Sequence, residues 1–133
     1  MVMEIGILCT SEALELAALV GAVQTGRVPA EIKIVIADRD SDALRLAREA
    51  GLYGAFVPRS AFHANRDGFE RRLAELFREA GAKAVVLAGY EREVGSVLKD
   101  AFPERLFGQG LAADELIGDL EKRWRAGLFG VVG

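Results

Sequence analysis

Short apolar runs alternate with amphipathic segments along most of this chain. Apolar side chains dominate residues 5–9, 32–36 and 84–88, as in strands that are buried on both faces of a sheet. Residues 55–57 form a briefer run, which ends at Pro58. These four runs predict β-strands, and a final apolar run at residues 128–132 predicts a last strand.

Between the runs, apolar residues recur three and four positions apart, which is typical of helices. The first helix is expected to end near Gly26 and the second near Gly51, because glycine commonly stops helices. The clearest helical pattern covers residues 66–80 and ends at Gly81. A shorter helix is predicted over residues 94–101, and helical spacing recurs over residues 111–125.

Alternating strands and helices predict an α/β fold with three layers, Rossmann-like, in which a mostly parallel sheet of about five or six strands has helices on both faces. A length of 133 residues indicates a single domain, 1–133. Ligands of such sheets bind beyond the carboxyl ends of the strands. Those ends are expected at residues 9–11, 37–39, 58–60, 89–91 and 108–110.

Composition narrows the class of protein. Hydrophobic residues make up 51%, and 17 basic against 20 acidic residues give a net charge of −3 with no basic stripe, so no nucleic-acid partner is expected. No run of about 18 apolar residues predicts a membrane span, and the first residues lack the pattern of a signal peptide. One cysteine, Cys9, excludes an internal disulfide, which suits a cytoplasmic protein. Cys9 with a single distant histidine makes no metal site.

Several phrases occur in the order and spacing of a known family. They are Thr-Gly-Arg-Val-Pro-Ala at residues 25–30, Ser-Ala-Phe at 60–62, Arg66 with Phe69, Val-Leu-Ala-Gly-Tyr at 86–90, and Ala-Phe-Pro-Glu-Arg-Leu-Phe at 101–107. Together they resemble the glycinamide ribonucleotide (phosphoribosylglycinamide) formyltransferases of purine biosynthesis. The resemblance covers residues 3–111, whereas the tail, residues 112–133, diverges.

The resemblance implies a formyl-transfer reaction, but this chain has glycines where the family has catalytic side chains. The family moves a formyl group from 10-formyltetrahydrofolate to the amine of glycinamide ribonucleotide. Its members read Asn-Ile-His-Pro where this chain has Gly108, Gln109, Gly110 and Leu111. The family's Asn therefore falls on Gly108 and its His on Gly110, and the aspartate of the family is not recognisable. Losing an acid/base costs roughly 10²–10⁴-fold in rate, and losing an oxyanion donor another 10²–10³-fold.

The resemblance also points to binding residues. Where the family has a glycine-rich phosphate loop, this chain has Thr10 and Ser11, whose hydroxyls could contact a phosphate but also suit a helix cap. Arg66 and Arg92 fall at positions on the folate side of the family's site. For Arg66 the alternative is a solvated residue in the first turn of a helix. Glu91 and Glu93 flank Arg92 where the family has apolar residues, so a local Glu–Arg surface is favoured there.

Other candidate residues have simpler interpretations. His63 does not fall at the family's catalytic position, and a surface or capping role is favoured. The loop of residues 38–40 could touch a ribose, but solvation with helix capping is favoured. Cys9 is expected to be a small buried residue. No Gly-x-Gly-x-x-Gly follows the first strand, which disfavours nicotinamide binding.

Three functions remain open. The favoured one is a formyltransferase-like domain without catalysis, kept for binding a small anionic or nucleotide ligand or for assembly. The alternatives are an active formyltransferase, with His63 as a substitute catalyst, and an unrelated ligand-binding sheet protein. Residues 111–125 and the last strand are expected to form a homodimer, since a terminal strand at a sheet edge can pair with another copy.

Overall fold

The structure is a computed structural model and describes residues 2–10 and 14–126. The strands in this part are β1 (Met3–Cys9), β2 (Ala30–Ala37), β3 (Gly54–Phe56), β4 (Ala84–Leu87) and β5 (Leu106–Phe107). The helices are α1 (Leu14–Gln24), α2 (Asp42–Glu49), α3 (Arg66–Ala80), α4 (Ser96–Ala101) and α5 (Ala113–Arg125), with a 3₁₀ turn at Arg59–Phe62.

The five described strands form one parallel sheet in the order β3-β2-β1-β4-β5. Side chains alternate between its faces, so Ile7 and Cys9 join one hydrophobic core while Leu8 joins the other. Helices α1, α2 and α5 pack over the first core, and α3 and α4 over the second. The predicted three-layer α/β class is therefore confirmed.

Helix α3 begins and ends where the sequence pattern predicts. The Asn65 side chain accepts a hydrogen bond of 3.0 Å from the Gly68 backbone N–H, which caps the first turn. At the other end Gly81 adopts a left-handed φ of 87°, which glycine tolerates without strain. Phe77 of α3 packs so closely on β1 that a Cβ on Gly6 would lie 2.3 Å from its ring. Glycine at position 6 thus allows α3 to pack closely on the sheet.

The second half of the chain departs from prediction in detail. Helix α4 starts two residues later than the pattern suggests, because Gly95 is its N-cap. Helix α5 buries Leu116, Ile117 and Leu120 in the first core, beside α1, so its apolar stripe packs on its own sheet. The predicted last strand, residues 128–132, lies outside the described residues. Within the described part, no helix is both long and apolar enough to cross a membrane.

The sheet has its topological switch point between β1 and β4. The chain moves outward from β1 through β2 to β3, and then returns to place β4 on the other side of β1. Crevices at such points are the usual ligand sites of open α/β sheets. All five strands are parallel, so their carboxyl ends share this edge of the sheet.

Candidate functional site

Thr10 joins three strand ends at the switch point. Its backbone N–H donates to the Gly89 carbonyl oxygen at 3.3 Å, and its hydroxyl accepts from the Glu91 N–H at 3.0 Å. The same hydroxyl hydrogen-bonds to the carboxylate of Asp38 at the end of β2. This buried threonine thus belongs to a polar network that no local pattern predicted. Ser11 lies outside the described residues, so the phosphate contact through these two hydroxyls stays a prediction.

Asp38 is a buried carboxylate with an unfilled hydrogen-bonding position. Only 5% of its surface is exposed, and its Oδ1 has no hydrogen-bond partner among the described residues. Burial raises the pKa of Asp38, while the hydrogen bond from Thr10 and the charge of Arg59 act in the opposite direction. The expectation of a solvated, helix-capping loop is therefore wrong for Asp38, although Arg39 and Asp40 are exposed.

Arg59 is held in place by two aromatic side chains. Its Nη1 donates to the Tyr90 hydroxyl at 3.0 Å, and its guanidinium carbon lies 4.9 Å from the centre of the Phe69 ring. Burial raises the pKa of Tyr90 to about 12, so this hydroxyl stays neutral at physiological pH. The result is a pre-organised cation at the carboxyl end of β3. Sequence reasoning placed residue 59 at a strand end but did not single it out.

Arg59 and Arg92 are shared by two adjoining cavities, which we call the arginine cleft. One cavity, of about 510 Å³, is lined by Arg59, Ser60, Ala64, Asn65, Arg66, Phe69 and Arg92. The other, of about 460 Å³, is lined by Asp38, Arg39, Asp40, Phe56, Pro58, Arg59, Ser60 and Arg92. The fold thus brings together the two arginines that the resemblance singled out, Arg66 and Arg92, and adds a third.

The three arginines form no short ion pair in the part of the chain that the structure describes, although Asp38 lines one cavity together with Arg59. Among the described residues, neither Arg59, Arg66 nor Arg92 forms an ion pair within 4.0 Å. Glu91, next to Arg92 in sequence, lies 3.7 Å from Arg39. Guanidinium groups that share a cleft repel one another unless an anion lies between them. The arginine cleft therefore has the charge and the donors of an anion site.

The two glycines at the family's catalytic positions differ in their surroundings. Gly108 has a φ of 93°, and a Cβ built there would lie 2.7 Å from the Leu87 carbonyl oxygen and 2.6 Å from a methyl group of Leu116. Gly110 also has a positive φ, 74°, but nothing lies within 4 Å of its Cβ position. A side chain thus has no room at position 108, whereas position 110 is open.

A third cavity, of about 420 Å³, lies between β4, β5 and α4. Its lining residues are Leu87, Val94, Lys99, Phe102, Glu104, Leu106 and Gln109. The Gln109 side chain donates to the Arg92 carbonyl oxygen at 3.0 Å, which links this cavity to the arginine cleft. Apolar walls with polar groups at few points are typical of small-molecule sites.

Neither His63 nor Cys9, the remaining candidate catalysts, lines the arginine cleft. His63 is exposed and follows the 3₁₀ turn with a left-handed φ of 48°. Cys9 is buried, and burial, with a smaller effect of nearby Asp38, raises its pKa to about 12. Its thiol donates to the Ile36 carbonyl oxygen at 3.5 Å. In residues 2–10 and 14–126, no three His, Cys, Asp or Glu side chains are grouped as a metal site.

An open parallel sheet with helices on both faces defines a Rossmann-like α/β domain. Comparisons of the sequence with protein-family models and with curated proteins gave no match. Solved structures do match, and among them are formyltransferases and formyltetrahydrofolate deformylases. Glycinamide ribonucleotide transformylase 1 from Symbiobacterium toebii is 24% identical with a TM-score of 0.74, over 98% of this chain and 84% of that chain.

Phosphoribosylglycinamide formyltransferase from Coxiella burnetii is 29% identical with a TM-score of 0.72, and the match covers 80% of this chain and 50% of that protein. Formyltetrahydrofolate deformylase from Burkholderia mallei is 21% identical with a TM-score of 0.72, over 80% of this chain and 37% of that protein. This chain therefore spans about half of the Coxiella protein and less of the deformylase. It has the formyltransferase-like fold, and the resemblance inferred from sequence is confirmed at that level.

Proposed function

We propose that this domain binds a small anionic molecule in the arginine cleft and does not transfer formyl groups. The observation that supports binding is the set of three guanidinium groups, on Arg59, Arg66 and Arg92, which form no ion pair within 4.0 Å among residues 2–10 and 14–126. Arg59 is already oriented by Tyr90 and Phe69, so little side-chain entropy would be lost when an anion binds.

Loss of catalysis follows from what formyl transfer requires. A tetrahedral intermediate needs a hydrogen-bond donor at its oxyanion, and the amine needs a positioned acid or base. The resemblance assigns these roles to positions 108 and 110, which are glycines, and the first has no room for asparagine. The thiol of Cys9 and the phenol of Tyr90, each with a pKa of about 12, are poor substitutes near neutral pH.

Folates and ribonucleotides are the first ligands to examine. Matched proteins carry names that refer to formyltetrahydrofolate and to glycinamide ribonucleotide, and the apolar cavity beside Gln109 adjoins the arginine cleft. Under the resemblance, Arg66 and Arg92 would hold the folate side of such a ligand, and 10-formyltetrahydrofolate would be the formyl donor if the domain were active. A cytoplasmic location is part of this proposal.

Assembly is a further part of the proposal. With the apolar stripe of α5 buried against the parent sheet, Trp124, which is 39% exposed, remains as a large apolar contact on that helix. A homodimer through α5 and the chain end would show a molar mass of twice 14.3 kDa by light scattering. A Trp124→Ala variant that stays dimeric would place any interface elsewhere.

Activity and binding can be tested separately. Formyl transfer from 10-formyltetrahydrofolate to glycinamide ribonucleotide is measured for the wild-type chain and for His63→Ala. We expect no turnover above background, and robust turnover would support the alternative, an active formyltransferase. Loss of that turnover in His63→Ala would identify a substitute catalyst.

For binding, thermal stability is measured with folates, ribonucleotides and inorganic phosphate, because a ligand that binds the folded state raises Tm. We expect at least one anion to raise Tm, and Arg66→Gln to weaken its binding about tenfold, as for loss of a charge-assisted hydrogen bond. Arg71→Gln is the matched control, since Arg71 is exposed on the same helix and lines neither cavity of the cleft. Equal effects of the two variants would refute the arginine cleft as the site.

A further inference from the structure

The cavity of about 460 Å³ has features that a simple anion site does not need. Beside Arg59 and Arg92 it is lined by Phe56 and by the buried Asp38. Neither of these residues has a role under the formyltransferase resemblance. We propose that this cavity binds a nucleoside 5′-monophosphate, with the phosphate at the two arginines and the base on the Phe56 ring. The inference rests on the proposed anion binding and specifies its ligand.

Phe56 supplies a flat apolar surface at the right place. It ends the edge strand β3, and 47% of its surface is exposed although it is a large aromatic residue. Isolated exposed aromatic residues are common and carry no meaning alone. This one shares a cavity with two guanidinium groups that form no ion pair within 4.0 Å in the described part of the chain, and a charged ligand with a planar ring requires that combination.

Asp38 supplies the third feature of the cavity, a hydrogen-bond acceptor for the ribose. One of its oxygens is engaged by Thr10, whereas Oδ1 has no partner among the described residues, and buried carboxylates rarely lack partners. A ribose hydroxyl would donate the missing hydrogen bond. In open α/β sheets, an acidic residue beyond the second strand commonly takes this role towards a ribose. Asp38 stands immediately after β2, and its cavity is within the usual size range of small-ligand sites.

Base, ribose and phosphate can therefore be assigned to Phe56, Asp38 and the arginines in turn. A free phosphate would use the arginines alone. It would leave Phe56 exposed and the Oδ1 atom of Asp38 without a hydrogen-bond partner among the described residues. The prediction that separates the two is that the nucleoside portion contributes to affinity. Stacking of one base on an aromatic side chain corresponds to about a tenfold gain or more.

Isothermal titration calorimetry on the full chain tests this with adenosine 5′-monophosphate, inorganic phosphate and adenosine. We expect the nucleotide to bind about tenfold or more tightly than phosphate. Phe56→Ala should reduce nucleotide affinity about tenfold and leave phosphate affinity unchanged. Tyr53→Ala is the matched control, because Tyr53 is also exposed beside β3 but does not line the cavity. Asp38→Asn should reduce the affinity for the nucleotide several-fold and should not reduce the affinity for phosphate.

The outcomes distinguish the inference from the function on which it rests. Equal affinity for nucleotide and phosphate, or equal effects of Phe56→Ala and Tyr53→Ala, would overturn the nucleotide inference while anion binding stands. Binding of none of these anions, nor of folates, would refute the proposed function and the inference with it. Circular dichroism spectra of the variants check that each is folded before it is titrated.

Discussion

The position that a Cβ would take on Gly108 lies 2.7 Å from the carbonyl oxygen of Leu87. Leu87 ends β4, and Gly108 directly follows β5, the neighbouring strand. The close approach of these two backbones, together with the positive φ of Gly108, makes glycine a structural requirement here. This geometry would have to change before position 108 could carry any side chain.

Substitution at Gly108 is expected to destabilise the fold far more than substitution at Gly110. Gly108→Ala combines a steric clash with a left-handed backbone, which we expect to cost about 3 kcal/mol in free energy of unfolding. Gly110→Ala has the same backbone strain without the clash and should cost about 1 kcal/mol. Urea denaturation of both variants measures the difference. Equal losses would mean that Leu87 and Leu116 move away at little cost.

Glu70 is expected to stabilise the start of α4. This carboxylate is only 2% exposed and accepts hydrogen bonds from the backbone N–H groups of Gly95, at 2.6 Å, and Leu98, at 3.0 Å. Glu70→Gln replaces one acceptor oxygen with an NH₂ donor, so one of the two N–H groups loses its partner at a cost of about 1–3 kcal/mol. Urea denaturation gives this value.

Glu75→Gln serves as the control for Glu70, because Glu75 is exposed on the same helix and pairs only with Arg72. It should change the free energy of unfolding little. Amide hydrogen exchange at residues 95–98 should accelerate in Glu70→Gln alone. Unchanged exchange there would show that another group holds the start of α4.

Cys9 is expected to be unreactive while the protein is folded. Burial raises the pKa of its thiol to about 12, so roughly one molecule in 10⁴ would carry the thiolate at pH 8. Labelling with a thiol reagent should therefore be absent in buffer and complete in denaturing urea, with Cys9→Ala as the blank. Rapid labelling of the folded chain would contradict the buried position of Cys9 and reopen a reactive role.

Ionisation of the buried Asp38 carboxyl group is expected to lower the free energy of unfolding as the pH rises. Because its pKa is raised in the folded state, the folded protein binds a proton more tightly than the unfolded chain does, and stability falls as pH rises through the folded-state pKa. Asp38→Asn removes the loss of stability that accompanies ionisation of this carboxyl group. The variant should gain free energy of unfolding at about pH 7 and lose that advantage as the pH approaches the ordinary value of 3.8.

Asp40→Asn provides the comparison for Asp38, since Asp40 is exposed in the same loop. Urea denaturation across this pH range should show a pH-dependent gain for Asp38→Asn only. A difference in the free energy of unfolding that did not change with pH would mean that neighbouring groups offset the cost of burying the Asp38 carboxylate. If Asp38→Asn gained stability and also bound the nucleotide more weakly, the buried carboxylate would be a group that lowers stability but contributes to binding.

The sequence by itself determined the class of fold and the resemblance. Continuous apolar runs and amphipathic segments with a period near 3.6 are local signals, so β1, β2 and β4 were located within a few residues. The bounds of α3 were predicted to the residue, because its cap at Asn65 and its stop at Gly81 are also local. Strand β5 has two residues and too little pattern to detect.

Only the tertiary structure decided what the site contains. Arg59 meets Tyr90 and Phe69 through contacts that cross different elements, and Asp38 is buried because the ends of β1, β2 and β4 converge on it. An aspartate in a charged loop has the same local pattern whether it is solvated or buried. Its environment depends on residues far away in sequence that parallel pairing places at one edge of the sheet, and no window along the chain contains that information.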